Sequence, residues 1–167
     1  VERPEHWARH LLRARAQQQR SVANGGGGFT EFVPLPCGHM EAPMWLKGQA
    51  RSGPTFGESL LMHAVARLAL HPAFTNVQAS WVKLGPEGIA AALHAGVNDL
   101  GGTLMNESIS RSAGSEHGQE LPPDSMEELI RANGTPPLAM YCSCAASNGS
   151  AARWLMTGPM NGSGSSL

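Results

Sequence analysis

Behind Pro4, the apolar residues Trp7, Leu11 and Ala14 recur at helical spacing with arginine and glutamine on the opposite side, so the pattern predicts a helix over residues 4–20. Asn24 and the run Gly25 to Gly28 break it, and Phe29-Thr30-Glu31-Phe32-Val33 follows as a short buried strand that Pro34 ends. Thr55-Phe56-Gly57-Glu58 fits a capping box, after which Leu61, Ala64, Val65 and Leu68 supply one apolar face before Pro72. Val77, Ala79 and Trp81 alternate with Gln78 and Ser80, which predicts a second strand over residues 77–84. Gly85-Pro86-Glu87 then opens a third helix carrying Ile89 and Leu93, stopped at Gly96. Residues 97–104 read as a third strand, and a second capping box, Ser125-Met126-Glu127-Glu128, leads Leu129 and Ile130 into a last helix that Gly134 ends.

Strict alternation of helix and strand predicts an α/β fold with parallel strands and right-handed crossovers, either an open sheet or part of a barrel. Three strands and four helices are about half of an eight-unit barrel, which takes about 250 residues, whereas this chain has 167. Residues 1–134 are therefore expected to form part of a parallel β/α barrel. After Gly134 no period would bury a face, and residues 135–167 are expected to be a disordered or aberrant tail.

Composition narrows the function. Twelve basic residues against thirteen acidic ones leave a net charge of −1, without the basic excess of a general nucleic-acid binder. No apolar run approaches the roughly 20 residues of a membrane-spanning helix. Three cysteines make neither a disulfide framework nor a C-x-x-C half-site, so no metal site is expected of this chain. The compartment is left open.

In a parallel β/α architecture, chemistry sits at the carboxyl ends of the strands and in the loops after them. That draws attention to His39 and Glu41 after the first strand, where imidazole and carboxylate can move protons or can simply bond the loop backbone. It also selects Ser80 on the second strand, and Asn98, Asp99, Asn106 and Glu107 on and after the third, either as polar ligands for a substrate or as turn-closing groups. Trp81 reads as core, and His63 and His71 as structural helix residues.

Five longer stretches add to this: Phe29 to Pro36, His39 to Pro43 (HMEAP), Leu61 to Arg67 (LMHAVAR), Gly96 to Arg111 (GVNDLGGTLMNESISR) and His117 to Glu120 (HGQE). In that order they resemble the FO synthase family of radical S-adenosylmethionine enzymes, specifically its tyrosine-using half, over residues 1 to about 134. The resemblance implies a radical SAM barrel of the TIM-like type, in which a 4Fe-4S cluster reductively cleaves S-adenosylmethionine. The resulting radical acts on tyrosine, and a hydroxybenzyl group passes to 5-amino-6-(ribitylamino)uracil. A ring-closing radical SAM partner then completes the deazaflavin. Cysteine thiolates hold such a cluster, and the protein contributes orientation and protection from water. By their strand-end placement, Glu41 and Glu107 are the catalytic candidates, and His39, Ser80, Asn98, Asp99 and Asn106 the candidates for binding substrate or S-adenosylmethionine.

The C-x-x-x-C-x-x-C cluster loop of that family is missing: Cys37 stands alone and Cys142-Ser143-Cys144 has another spacing. The chain is thus expected to be the carboxyl-terminal half of the barrel, needing an amino-terminal half that carries the cluster, and to be inactive by itself. A noncatalytic binding or scaffold fragment and a fragment of a futalosine-pathway radical SAM enzyme remain as alternatives.

Overall fold

A computed structural model of the chain describes residues 2–103, 108, 112, 120–134, 136–141 and 152–156. Helix α1 (Pro4–Ala23) starts on a proline at its first turn. A four-residue turn of helix, α2 (Pro43–Leu46), sits in the long loop that follows the first strand-like segment. Helix α3 (Phe56–Leu70) begins at the predicted capping box, with the Thr55 hydroxyl accepting from Glu58 N–H at 3.2 Å and the Glu58 carboxylate accepting from Thr55 N–H at 2.7 Å. Helix α4 (Trp81–His94), strand β1 (Asp99–Gly102) and helix α5 (Pro123–Ala132) follow, then strands β2 (Pro137–Tyr141) and β3 (Ala152–Met156).

The expected parallel arrangement survives as two bridges, Phe32 with Val77 and Gln78 with Asp99, so three segments lie side by side in chain order and run the same way. No barrel closes among the described residues, and little sheet forms. The only multi-residue sheet there is antiparallel, in the order β1-β3-β2. Two of its strands, β2 and β3, lie in the stretch where the sequence predicts no regular structure. Both contain short apolar runs, Leu138 to Tyr141 and Trp154 to Met156.

Several local expectations change. The second strand stops early, because α4 starts at Trp81 and not at Gly85. Gly85 instead interrupts α4 with a left-handed φ of 66°, which separates residues 81–84 from the part that Pro86 opens. The last helix starts at Pro123, placing Ser125 inside its first turn. Helix α3 is rotated relative to the expected apolar face: Leu61, Val65 and Leu68 are 60%, 41% and 81% exposed, while Ser59, His63, Ala66 and Leu70 are buried.

The core forms where the helices cover one side of the parallel segments. Val77, Ala79 and Leu100 pack with Leu11, Ala66, Leu70, Ile89, Leu93, Met126 and Ile130. Phe74 stacks on Phe29 and meets Phe32 edge-on, with centroids 5.9 and 6.1 Å apart. Buried Gln18 of α1 fixes the glycine-rich joint: its amide donates to the carbonyls of Phe29 (3.0 Å) and Ala73 (3.1 Å).

Candidate functional site

Alternation along the parallel segments assigns the two sides of the sheet. Val77, Ala79 and Leu100 are buried beneath the helices, so Gln78 and Ser80 belong to the other face, where Gln78 bridges Asp99. Asp99 is fully buried, and its carboxylate accepts the Gly101 N–H at 2.8 Å. Ser80 is half-buried at the start of α4, where its hydroxyl makes no capping bond to the helix.

Asn98 sits at the amino end of the segments. Its side-chain oxygen accepts from Val77 N–H (2.9 Å) and from the Arg67 guanidinium, while its amide donates to the Thr75 carbonyl (3.1 Å). Arg67 also donates to the carbonyls of Gly96 (2.6 Å) and Thr75 (2.9 Å). This clamp is structural in kind: one guanidinium and one amide satisfy the turns that lead into two strands. Partial burial holds the Arg67 pKa below its usual value.

At the carboxyl end of the first segment, the loop from Pro34 to Pro54 folds over a cavity of about 680 Å³ between α1 and α3, in the size range of small-molecule sites. Trp7, Phe32, Trp45 and Met62 give it apolar walls, and Arg51 and Glu58 lie at its edge 3.6 Å apart. His39 lines it, with its ring edge-on to Trp45 at 5.1 Å. Glu41, two residues on, is exposed and outside the lining.

His63 borders the same cavity and is 1% exposed. Its Nδ1 lies 2.7 Å from the Ser59 carbonyl, an acceptor, so Nδ1 carries the proton. Nε2 is then an acceptor with no partner among the described residues. Desolvation pushes the His63 pKa down, opposed by the carbonyls of Ser59 and Gln78. The Gln78 carbonyl lacks a ladder partner for a reason written in the sequence. The ladder runs Phe32 N–H to Asn76 O (3.0 Å) and Gln78 N–H to Phe32 O (2.9 Å); the next donor would come from residue 34, a proline.

The structure thus brings His39 into the cavity, puts Ser80 and Asp99 on the neighbouring polar face, and separates Asn98 and Glu41 from both. Asn106 and Glu107 lie outside the described residues. Sequence reasoning passed over Gln78 and Arg67. Strand alternation was the available signal for Gln78; none existed for Arg67, whose partners are mainly backbone carbonyls.

A 4Fe-4S cluster does not fit the donors described here. No group of three or more His, Cys, Asp or Glu converges among the described residues, and the one described cysteine, Cys37, is exposed. No described helix is long and apolar enough to cross a membrane.

Residues 26–141 match the family described as the CofH/MqnC C-terminal region. The chain is 47% identical over 138 residues to a 5-amino-6-(D-ribitylamino)uracil--L-tyrosine 4-hydroxyphenyl transferase of Methanopyrus kandleri, covering 83% of this chain and 36% of that protein. It is 52% identical over 118 residues to an FO synthase of Mycobacterium leprae (71% of this chain, 13% of that protein). It is 48% identical over 136 residues to an FO synthase of Streptomyces coelicolor (81% and 15%). The chain therefore spans well under half the length of each of these relatives. No solved structure matches it.

Proposed function

The chain belongs to the CofH/MqnC family, and from that premise we propose that it supplies the substrate-facing carboxyl-terminal part of an FO synthase-type radical S-adenosylmethionine transferase. The reaction proposed is transfer of the hydroxybenzyl group of tyrosine to 5-amino-6-(ribitylamino)uracil. The observation that carries this reading is the 47% identity, over 83% of the chain, to a protein named for that pair of substrates.

In the intact enzyme, S-adenosylmethionine and a 4Fe-4S cluster supply the radical chemistry. Since the donors here do not fit a cluster, no step is assigned to this chain through it. Its own residues bind, orient and exclude water. The aromatic cavity beneath the Pro34–Pro54 loop offers a dry surface for a ring, with His39 and the Arg51–Glu58 pair as polar contacts. The polar face carrying Gln78, Ser80 and Asp99 offers hydrogen-bonding groups beside it. Glu107 and Glu41 are the carboxylates proposed to handle protons. The amino-terminal, cluster-bearing half and a ring-closing enzyme are the proposed partners.

Joining the chain to the cluster-bearing amino-terminal part of the M. kandleri transferase tests the reading. Tyrosine-dependent formation of the hydroxybenzylated uracil is the expected result, and Glu41→Gln and Glu107→Gln are each expected to lower its rate. A well-folded hybrid that carries a cluster, cleaves S-adenosylmethionine and leaves both substrates unchanged would refute the assignment. Full activity of both variants would refute only the two proposed proton-handling roles.

A further inference from the structure

Gln78 has the chemistry of a pyrimidine reader, and no described residue hydrogen-bonds its side chain. It is half-buried on the face opposite the helical layer. Its backbone N–H is held in the strand, donating to Phe32 O at 2.9 Å, yet its side-chain amide makes no hydrogen bond among the described residues. Its neighbours on that face are committed elsewhere or cannot substitute for it. The Asp99 carboxylate holds the Gly101 N–H, and the Ser80 hydroxyl offers a single O–H.

The setting of the amide is also built. Gly101 lies against it: a Cβ there would stand 2.5 Å from Nε2 and 3.2 Å from the amide carbon of Gln78. Gly101 has φ of 73°, a conformation in which a side chain is strained as well. A bare backbone therefore sits where a side chain would crowd the carboxamide.

A carboxamide presents one acceptor beside donors in one plane. The imide edge of a uracil presents the complement, a ring N–H between two carbonyls, so the two can pair through a bidentate set of hydrogen bonds. The amino-acid co-substrate has no such edge. We propose that the Gln78 carboxamide pairs with the imide edge of the ribitylaminouracil and is the specificity-determining contact for that ring; this rests on the uracil-using reading given above.

The probe is 6-(ribitylamino)uracil, which lacks the oxidisable 5-amino group, compared with its N3-methyl derivative, which has lost the imide donor. Binding is measured by calorimetry on the chain alone and on the hybrid enzyme. With Gln78 present, N3-methylation is expected to weaken binding at least tenfold. In Gln78→Leu the unmethylated probe is expected to lose at least tenfold, and methylation less than a further twofold, since the partner is already gone. Gln78→Glu keeps the shape but replaces the donor with an acceptor; it is expected to lose at least tenfold for the probe while the KM for tyrosine stays within twofold in the hybrid.

Equal methylation costs in Gln78→Leu and the parent would overturn the pairing and leave the transferase reading intact, as would a Gln78→Glu variant that binds the probe normally. Absence of probe binding by both chain and hybrid, in a hybrid that still cleaves S-adenosylmethionine, would overturn both.

Discussion

Replacing Gly53 by alanine should loosen the loop that roofs the aromatic cavity. The new methyl would fall inside the radius of the Cys37 carbonyl oxygen, 3.3 Å from the carbonyl carbon and 3.2 Å from His39 Nδ1. His39 could swing away, but the Cys37 carbonyl is backbone and can move only by displacing residues 36–38. Overpacking of this kind costs about 1–3 kcal/mol, and an obstacle made of backbone belongs in the upper half of that range, about 2 kcal/mol. For a chain of this size about 2 kcal/mol lowers Tm by roughly 4–8 °C. Gly57→Ala is the matched control: nothing lies within 4 Å of its would-be methyl and it sits in the first turn of α3, so relief of glycine's helix penalty should stabilise by about 0.5 kcal/mol. Urea unfolding followed by tryptophan fluorescence reads both, and Trp45, edge-on to His39, reports the loop directly. A Gly53→Ala chain as stable as the parent, with Trp45 emission unchanged, would refute the close approach of residues 37 and 53 and with it the roof of the cavity.

Arg67→Met should cost about 3 kcal/mol in urea unfolding, because charged hydrogen bonds contribute about 1.5–3 kcal/mol each and three acceptors lose the same donor non-additively. Leu68→Lys should change stability by less than about 0.5 kcal/mol, as for most exposed sites, whereas Ala66→Leu on the buried face should cost about 1–3 kcal/mol; the reverse order would restore the apolar face read from the sequence. Thr55→Ala should cost about 1 kcal/mol and move the Glu58 pKa, held low chiefly by the Thr55 N–H, only slightly upward, because the larger backbone contact remains; carboxyl NMR titration reads the second effect. The depressed pKa of His63 means that the unfolded chain binds more protons between the folded value and 6.5, so stability should fall as pH drops through 6.5 and level off below the folded pKa. Unfolding midpoints at pH 5.5 and 7.5 should therefore differ more in the parent than in His63→Leu, and equal differences would remove His63 from the account.

What the sequence made legible was whatever depends on neighbours in the chain. The Thr55 capping box, the stop before Pro72 and the start of α1 at Pro4 are local physics, and they stand where predicted. The face of α3 was misjudged because Leu61, Val65 and Leu68 outscore Ser59 and His63 in hydrophobicity, yet the packed face is the one where Ala66 permits close approach and Ser59 supplies a partner for His63. The second strand was drawn too long because Trp81 and Val82 are strand formers; their burial in the structure comes from a helical turn instead, with the Trp81 indole donating to the Gly102 carbonyl at 3.0 Å. Of the candidate residues, His39 was legible from its loop. Asn98 looks like a strand-end ligand in the sequence because nothing there announces Arg67 as its partner.

The two ends of the parallel segments differ in a way that itself indicates where ligands belong. At the amino end, Arg67 and Asn98 satisfy the carbonyls of Thr75 and Gly96 and the N–H of Val77. At the carboxyl end the parallel ladder is interrupted on the first two segments: Pro34 lacks the next donor, and α4 begins at Trp81. The missing donor at Pro34 frees the Gln78 carbonyl, and the acceptor nitrogen of His63 on α3 is likewise without a partner among the described residues. Unmatched polar groups are costly when buried, so a fold that satisfies one end of its sheet and leaves them at the other carries that cost where open parallel α/β architectures bind ligands. Alanine at Pro34 would return the missing ladder donor, and the loss of ligand affinity in Pro34→Ala, at unchanged or higher stability, is the measurable form of that argument.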